Sequence, residues 1–239
     1  MLPTYNEAET IPRVLGRIRH ECAADVLVVD DGSPDGTAAI ATGLAEELGG
    51  IFVLNRGAKS GLGAAYRAGF AWGLDRDFDV IIEMDADLSH DPASLNDLIA
   101  ATADADLAIG SRYIPGGATP DWPWRRRQLS RWANRYAAFM LRLPVRDATA
   151  GFRAYRSTLL ASLDFAQIKA DGYAFQIEMV DFAVLSGARI VEVPITFRDR
   201  EHGKSKMSSR VIAEAILLVT QWGVTRRLSK HKDHHALGT

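Results

Sequence analysis

Ile81-Ile82-Glu83-Met84-Asp85-Ala86-Asp87-Leu88-Ser89-His90 is an apolar run of strand length that ends abruptly in two carboxylates separated by one alanine. Carboxylates at the end of a buried strand suit Mg2+ or Mn2+, which take hard oxygen ligands, keep several waters and share their remaining positions with substrate phosphates. The stretch therefore points to an enzyme acting on a diphosphate compound. The same residues also fit a plain turn, because Asp often follows a strand and Asp91-Pro92 has the form of a helix N-cap followed by proline. On this stretch alone the two readings stand side by side, and its surroundings have to decide.

Working outward, the chain alternates helical and strand-like pattern from Asn6 onward. Glu7 to His20 places Ile11, Val14, Leu15 and Ile18 at helical spacing. Val26-Leu27-Val28-Val29 is apolar on both faces, as a central parallel strand should be. Gly32-Ser33-Pro34-Asp35-Gly36 is a turn, Thr37 to Leu48 a helix ended by Gly49-Gly50, and Ile51 to Leu54 a strand. A glycine-spaced helix is expected from Gly61 to Leu74, a strand over Val80 to Met84, a helix near Pro92 to Thr102 and a short strand over Asp106 to Ile109. Gly61 and Gly63 fit close helix packing better than a phosphate loop, since Gly-x-Gly alone is a weak signal. Strands alternating with helices predict a mostly parallel, Rossmann-like sheet flanked by helices, with ligands at the carboxyl ends of the strands. That rule selects Asp30-Asp31 and Asp85-Ala86-Asp87, which should share one cleft.

Beyond Tyr113 the texture changes. Pro115 to Pro123 reads as a loop, Trp124-Arg125-Arg126-Arg127 opens a helix to about Leu141, Arg189 to Phe197 reads as a late strand, and Asp199 to Ser209 is polar. Val211 to Val224 is apolar, holds Trp222 and is followed by Thr225-Arg226-Arg227 and Lys230, which fits either a core helix or an interfacial one. The domain reading is a catalytic unit over residues 1–210 and a C-terminal amphipathic helix with a basic tail over 211–239. The strand that should feed the loop at Met1-Leu2-Pro3-Thr4-Tyr5 is expected to be almost entirely missing.

Composition narrows the class. At 239 residues, 47% hydrophobic and 24% charged, the chain suits one large soluble domain with an appendage, and a net charge of -2 argues against a global nucleic-acid-binding role. A single cysteine, Cys22, excludes an internal disulfide and fits a reducing cytoplasm. Neither an export signal nor a membrane-spanning run is legible, so contact with a membrane is expected to be peripheral. His231-Lys232-Asp233-His234-His235 reads as a solvated terminus.

Taken together, Pro3-Thr4-Tyr5-Asn6-Glu7, Val29-Asp30-Asp31-Gly32-Ser33-Pro34-Asp35-Gly36-Thr37 and Asp85-Ala86-Asp87-Leu88-Ser89-His90 closely resemble the inverting GT-A glycosyltransferases of family 2. Within that family they are most similar to the polyprenol-phosphate mannosyltransferases, the dolichol-phosphate mannose synthases. Gly110-Ser111-Arg112-Tyr113, Ala150-Gly151-Phe152-Arg153 and Asp199-Arg200 through Lys206 carry the resemblance along nearly the whole chain. It implies a GT-A sheet with a C-terminal helical and loop extension. It also implies transfer of mannose from GDP-mannose to a polyprenyl phosphate, with Mg2+ or Mn2+, at the cytoplasmic face of a membrane, alone or with a separate membrane-anchoring protein.

The resemblance also implies roles. Pro3, Tyr5, Glu7, Val29 and Asp31 match nucleotide-binding positions, and Asp85 and Ala86 match positions lining ribose and diphosphate. Asp87 is the expected metal ligand, and Ser89 a second, weaker one. Arg112, Arg126 and Ser130 match positions that contact the acceptor phosphate, for which guanidinium forks are suited. Arg200 and Lys206 match residues that close over the donor diphosphate. Asp87, Arg112 and Arg126 are thus the expected catalytic set. A lipid phosphate is already anionic, so no general base is required, and none of the six histidines is placed as one. Two other readings are kept: a UDP-glucose-dependent polyprenyl-phosphate glycosyltransferase, and a non-catalytic nucleotide-sugar-binding subunit.

Overall fold

The computed structural model describes residues 1–165, 168, 170–199 and 209–236. Strand β1 (Leu2–Thr4) leads through α1 (Ile11–Glu21) to β2 (Val26–Asp30), and α2 (Thr37–Leu48) leads to β3 (Ile51–Asn55). These three strands pair in parallel in the order β1-β2-β3, and every residue of β2 is buried, as expected for a strand covered on both faces.

After α3 (Leu62–Leu74), β4 (Val80–Glu83) starts the second half of the sheet. A 3-10 turn at Pro92–Ser94 and α4 (Leu95–Ala101) lead to β5 (Leu107–Ser111), and then come α5 (Trp124–Leu141), β6 (Arg153–Arg156) and α6 (Ser157–Ser162). The chain continues through α7 (Gly172–Leu185) and β7 (Ile190–Pro194) to α8 (Ser209–Ala236). The order here is β4-β6-β5-β7, with β6 antiparallel to both neighbours and β7 parallel to β5. Met1 joins the halves, because its carbonyl accepts the Met84 amide at 3.2 Å while its own nitrogen donates to the Ile82 carbonyl. The strand expected to be missing is therefore present as a three-residue segment beside β2. β6, α6 and α7 are elements the residue pattern did not announce.

Strand alternation sends successive side chains to opposite faces, and two cores result. Leu107, Ile109 and Tyr155 join Tyr66, Phe70, Leu141 and Phe175 on one face, under α3, α5 and α7. Ala108 and Ala154 join Val14, Leu15, Ala41 and Leu98 on the other, under α1, α2 and α4. Gly63 shows why α3 carries small residues: a Cβ there would stand 2.9 Å from the Ala170 carbonyl oxygen, so glycine lets α3 approach the segment before α7.

Helix α8 answers the question posed by the apolar stretch before Arg226. Ala215 and Val219 are buried, Thr220 bonds Tyr136 of α5 at 2.6 Å, and Arg226 pairs with Asp181 of α7, while Leu217 and Val224 are exposed. One face is core and the other is not.

Candidate active site

The loop after β1 is built by side-chain bonds from the β2–α2 turn. The Ser33 amide donates to Asp30 Oδ1 at 2.9 Å, and Thr4 Oγ1 donates to Asp30 Oδ2 at 3.0 Å. The Glu7 amide donates to Thr37 Oγ1 at 3.0 Å and the Ala8 amide to Asp35 Oδ2 at 3.0 Å. Burial acts to raise the Asp35 pKa, but the bonds from Thr37 and Ala8 outweigh it and hold the carboxyl below its ordinary value. Asp31, at the end of β2, accepts from Arg56 at 2.7 Å and from the Ser60 amide at 3.3 Å.

Pro3, Tyr5, Glu7 and Asp31 line one cavity of about 350 Å3 together with Asp85, Ala86 and Asp87, so the two acidic clusters do share a cleft. Lys59 lines it too, with its ammonium 4.0 Å from the Tyr5 ring centroid. Val29 does not line it: the side chain is buried in β2 among Leu27, Ala65 and Trp72. Its expected nucleotide role thus falls on a residue placed in the core beneath the cavity.

In the acidic segment the turn reading and the site reading both apply. Asp91 caps the following turn by accepting the Ala93 amide at 3.1 Å. Asp87 is buried and accepts the Ser89 amide at 3.0 Å across Leu88, a non-glycine residue held at φ 66°. Such left-handed strain costs roughly 1–3 kcal/mol and concentrates at functional loops. Ser89 is buried and its Oγ has no hydrogen-bond partner among the described residues, a spare oxygen two residues from Asp87.

Among the described residues no three His, Cys, Asp or Glu side chains cluster as a metal cage. Asp87 with the spare Ser89 hydroxyl is a donor set of hard oxygens that leaves positions for water and phosphate, which fits Mg2+ or Mn2+. His90 Nδ1 accepts the Asp85 amide at 3.3 Å, and the ring packs between Phe152 and Phe197. It orders the end of β4 and was not anticipated from the sequence.

A second cavity of about 250 Å3 meets the first at Asp85, Thr149, Gly151 and Tyr173 and is lined by Arg112 and Arg126. Arg112 is buried and forked onto Asp147, through Nε at 2.7 Å and Nη2 at 2.6 Å, while its backbone amide donates to the same carboxylate at 3.0 Å. Burial opposes the guanidinium charge, but Asp147 more than compensates and holds the Arg112 pKa above its ordinary value. The fork facing Asp147 cannot also grip a phosphate, so Arg112 offers a ligand its remaining Nη1 edge.

Arg126 stacks on Trp122 at 4.0 Å and pairs with Asp199 at 2.7 Å. Ser130 lines neither cavity. Its Oγ accepts from the Tyr113 hydroxyl at 2.7 Å, and it lies on an apolar groove with Leu129, Ala133, Ile216 and Val219 that starts at Arg112 and Arg126. Arg200 and Lys206 lie outside the described residues.

Sequence reading missed Asp147, Asp171, Tyr173 and Gln176, which come from the half of the chain without clear periodicity. A polar residue inside an otherwise apolar stretch, as in Gly172-Tyr173-Ala174-Phe175-Gln176-Ile177, was the available signal.

Carboxylates at the carboxyl ends of β2 and β4, opening into a cavity walled by arginines, define a glycosyltransferase of GT-A architecture. The chain belongs to glycosyl transferase family 2, whose profile matches residues 1–163. It is 51% identical over 233 residues to the polyprenol monophosphomannose synthase of Mycolicibacterium smegmatis, covering 96% of this chain and 88% of that one. It is 50% identical over 228 residues to the undecaprenyl-phosphate mannosyltransferase of Micrococcus luteus, covering 95% and 94%. Among solved structures, glucosyl-3-phosphoglycerate synthase from Mycobacterium tuberculosis in complex with UDP superposes with a TM-score of 0.66 at 21% identity, covering 92% of this chain and 78% of that one. The same enzyme with Mn2+, UDP and glucosyl-3-phosphoglycerate gives 0.67 at 21% identity, covering 90% and 75%.

Proposed function

We propose that the protein transfers mannose from GDP-mannose to a polyprenyl phosphate with inversion, giving a β-linked polyprenyl-phosphate mannose. The observation that carries this reading is the meeting of two cavities at Asp85, Thr149, Gly151 and Tyr173, one lined by carboxylates and the other by Arg112 and Arg126. The apolar groove that starts at those arginines is suited to an acceptor with a phosphate head and a hydrocarbon chain. The names of the two relatives about 50% identical to this chain specify a mannosyl donor and a polyprenyl acceptor for those proteins.

In this reading an oxygen of the acceptor phosphate attacks the anomeric carbon, and the bond from that carbon to the diphosphate breaks with its electrons leaving on GDP. The attacking oxygen carries negative charge already, so positioning and charge stabilisation are the protein's task. Arg112, fixed by Asp147, and Arg126, stacked on Trp122, hold the acceptor phosphate at the cavity junction. Pro3, Tyr5, Glu7, Asp31, Asp85 and Ala86 seat the nucleotide. Asp87, with Ser89, would hold a divalent cation, which would supply positive charge against the departing diphosphate.

Residues 1–210 form the catalytic unit in this reading and 211–239 its membrane-proximal extension. No helix of the described residues is long and apolar enough to cross a membrane. Contact is instead peripheral, at the cytoplasmic face, through the outer faces of α5 and α8. Trp124 is 66%, Phe139 70% and Leu217 70% exposed. Helix α5 carries Arg125, Arg126, Arg127, Arg131 and Arg135 and no acidic residue, which suits anionic lipid.

The test is transfer of label from GDP-mannose and, in parallel, UDP-glucose to polyprenyl phosphate, with Asp87→Ala as control. Transfer from GDP-mannose that is lost in the control is expected. Transfer from UDP-glucose alone selects the glucosyl reading, and folded protein that binds neither nucleotide leaves the non-catalytic one.

A further inference from the structure

Helix α5 carries Arg126, Ser130 and Asn134 at four-residue spacing, which places them on one face of the helix. Arg126 lines the arginine-walled cavity and Ser130 the apolar groove, whereas Asn134, next along the stripe, is 1% exposed and lines neither. Its amide is engaged at both ends. Nδ2 donates to the Ser130 carbonyl at 3.0 Å, which fixes the side chain along its own helix, and to Thr149 Oγ1 at 3.1 Å, while Oδ1 accepts the Thr149 amide at 3.2 Å. Asn134 is therefore a two-pronged clamp between α5 and the loop before β6.

Thr149 carries the clamp to Arg112. Its hydroxyl accepts Arg112 Nη2 at 2.8 Å and donates to Asp147 Oδ1 at 3.3 Å. With Asn134 as third partner, the one donor and two acceptor positions of a hydroxyl are all filled, although Thr149 lines both cavities and the groove. The hydroxyl thus aims Arg112 instead of binding a ligand itself.

The two arginines have different anchors. Arg112 is fixed to the sheet, directly after β5 and through Asp147, whose amide donates to Glu192 Oε1 of β7 at 3.0 Å. Arg126 rides on α5. A phosphate gripped between them stands in line for attack only if α5 keeps its distance from Arg112, and the hydrogen bonds from Asn134 through Thr149 to Arg112 span that gap. We propose that Asn134 is a positioning residue for the acceptor phosphate, setting the distance between Arg112 and Arg126. The inference rests on the acceptor reading above and deepens it.

The rival is a purely structural tie that keeps α5 docked. Such a tie would be matched by any change that loosens α5 as much. Leu141, buried at the other end of α5, lines none of these cavities, so Leu141→Ala supplies that comparison.

The experiment measures transfer to farnesyl phosphate at saturating GDP-mannose, GDP affinity by calorimetry and thermal melting, for wild type, Asn134→Leu and Leu141→Ala. Asn134→Leu keeps the volume and removes both polar atoms. Its acceptor kcat/KM should fall roughly 10- to 100-fold with GDP affinity unchanged, whereas Leu141→Ala should melt lower yet transfer within about twofold of wild type. Thr149→Val breaks the same link from the other side, should give the same pattern, and stands in if the leucine variant does not fold. Wild-type transfer by the Asn134 variant, a parallel loss of GDP affinity, or an equal loss in Leu141→Ala overturns the proposal while leaving the acceptor reading intact. Wild-type protein that transfers nothing to the lipid phosphate overturns the acceptor reading and this inference with it.

Discussion

Replacing Asp147 by Asn should separate what holds Arg112 from what Arg112 does. Asp147 is fully buried and accepts three bonds from Arg112, at 2.6, 2.7 and 3.0 Å. Asparagine has the same shape, but its amide would turn a donor toward a guanidinium that only donates. A buried pair broken from one side costs about 3–5 kcal/mol, and with both groups more than nine-tenths buried there is little solvent screening to reduce it. At about 2–4 °C per kcal/mol for a chain of this size, Asp147→Asn should melt roughly 6–20 °C below wild type at pH 7. The double variant Arg112→Gln with Asp147→Asn leaves no unpaired charge and should be more stable than the two single losses added together. The pH dependence has a defined sign. Arg112 holds the folded Asp147 pKa below its ordinary value, so the stabilisation is present above the usual carboxylate range and is lost as pH falls through the folded pKa. The wild-type advantage should therefore be constant through neutral pH and shrink in acid. Activity should drop about 10- to 100-fold in acceptor kcat/KM with GDP affinity unchanged, because a guanidinium displaced by about 1 Å loses near-attack geometry. Thermal melts by circular dichroism across pH, with transfer kinetics at saturating donor, make the test. A melting point within 2 °C of wild type, or an advantage that persists unchanged in strong acid, would refute the reasoning.

Gly151→Ala should fold normally, since a Cβ there would meet nothing nearer than Tyr66 Oη at 3.7 Å and the Asp85 carboxylate at 3.8 Å, ordinary contacts. The methyl group would stand where the two cavities join, so transfer should fall at least tenfold with no change in melting temperature; full activity would show that the junction is not where the reactants meet. Burial pushes the Glu83 pKa up to about 8, with Arg153 opposing it. Glu83 therefore contributes stability that is present below about 4.5 and lost as pH rises through 8, and Glu83→Gln should flatten that decline in urea titrations, whereas parallel curves would argue against it. Phe139→Asp and Leu217→Asp sit on side chains that are each 70% exposed, so both variants should keep wild-type melting while losing co-sedimentation with anionic vesicles; undiminished binding would take this face off the membrane.

The first half of the fold was legible because two of its strands, β2 and β4, are apolar runs that lead into carboxylates, and its helices bury one stripe each. Val26 to Asp30 could hardly be anything but a central strand, and the cleft shared by Asp31 and Asp87 followed from the rule for strand ends. Beyond Tyr113 the same signals fail for identifiable reasons. Strand β6 reads Arg153-Ala154-Tyr155-Arg156, a sequence that looks solvent-facing until Glu83, Ala148 and Gln176 are found around its first arginine. Helix α7 is buried almost all round, so it has no apolar stripe for a helical period to reveal. Asp147 sits in an unremarkable turn, and only the fold brings it under Arg112.

Motif positions named groups that line the two cavities, whereas the groups that aim them, Asp147 for Arg112 and His90 for the end of β4, became visible only through three-dimensional packing. The same difference explains Val29 and Ser130, which occupy motif positions but point into the core and onto the apolar groove. A position inherited from a motif predicts a backbone location; whether its side chain reaches the cavity depends on the strand face or helix turn on which it falls.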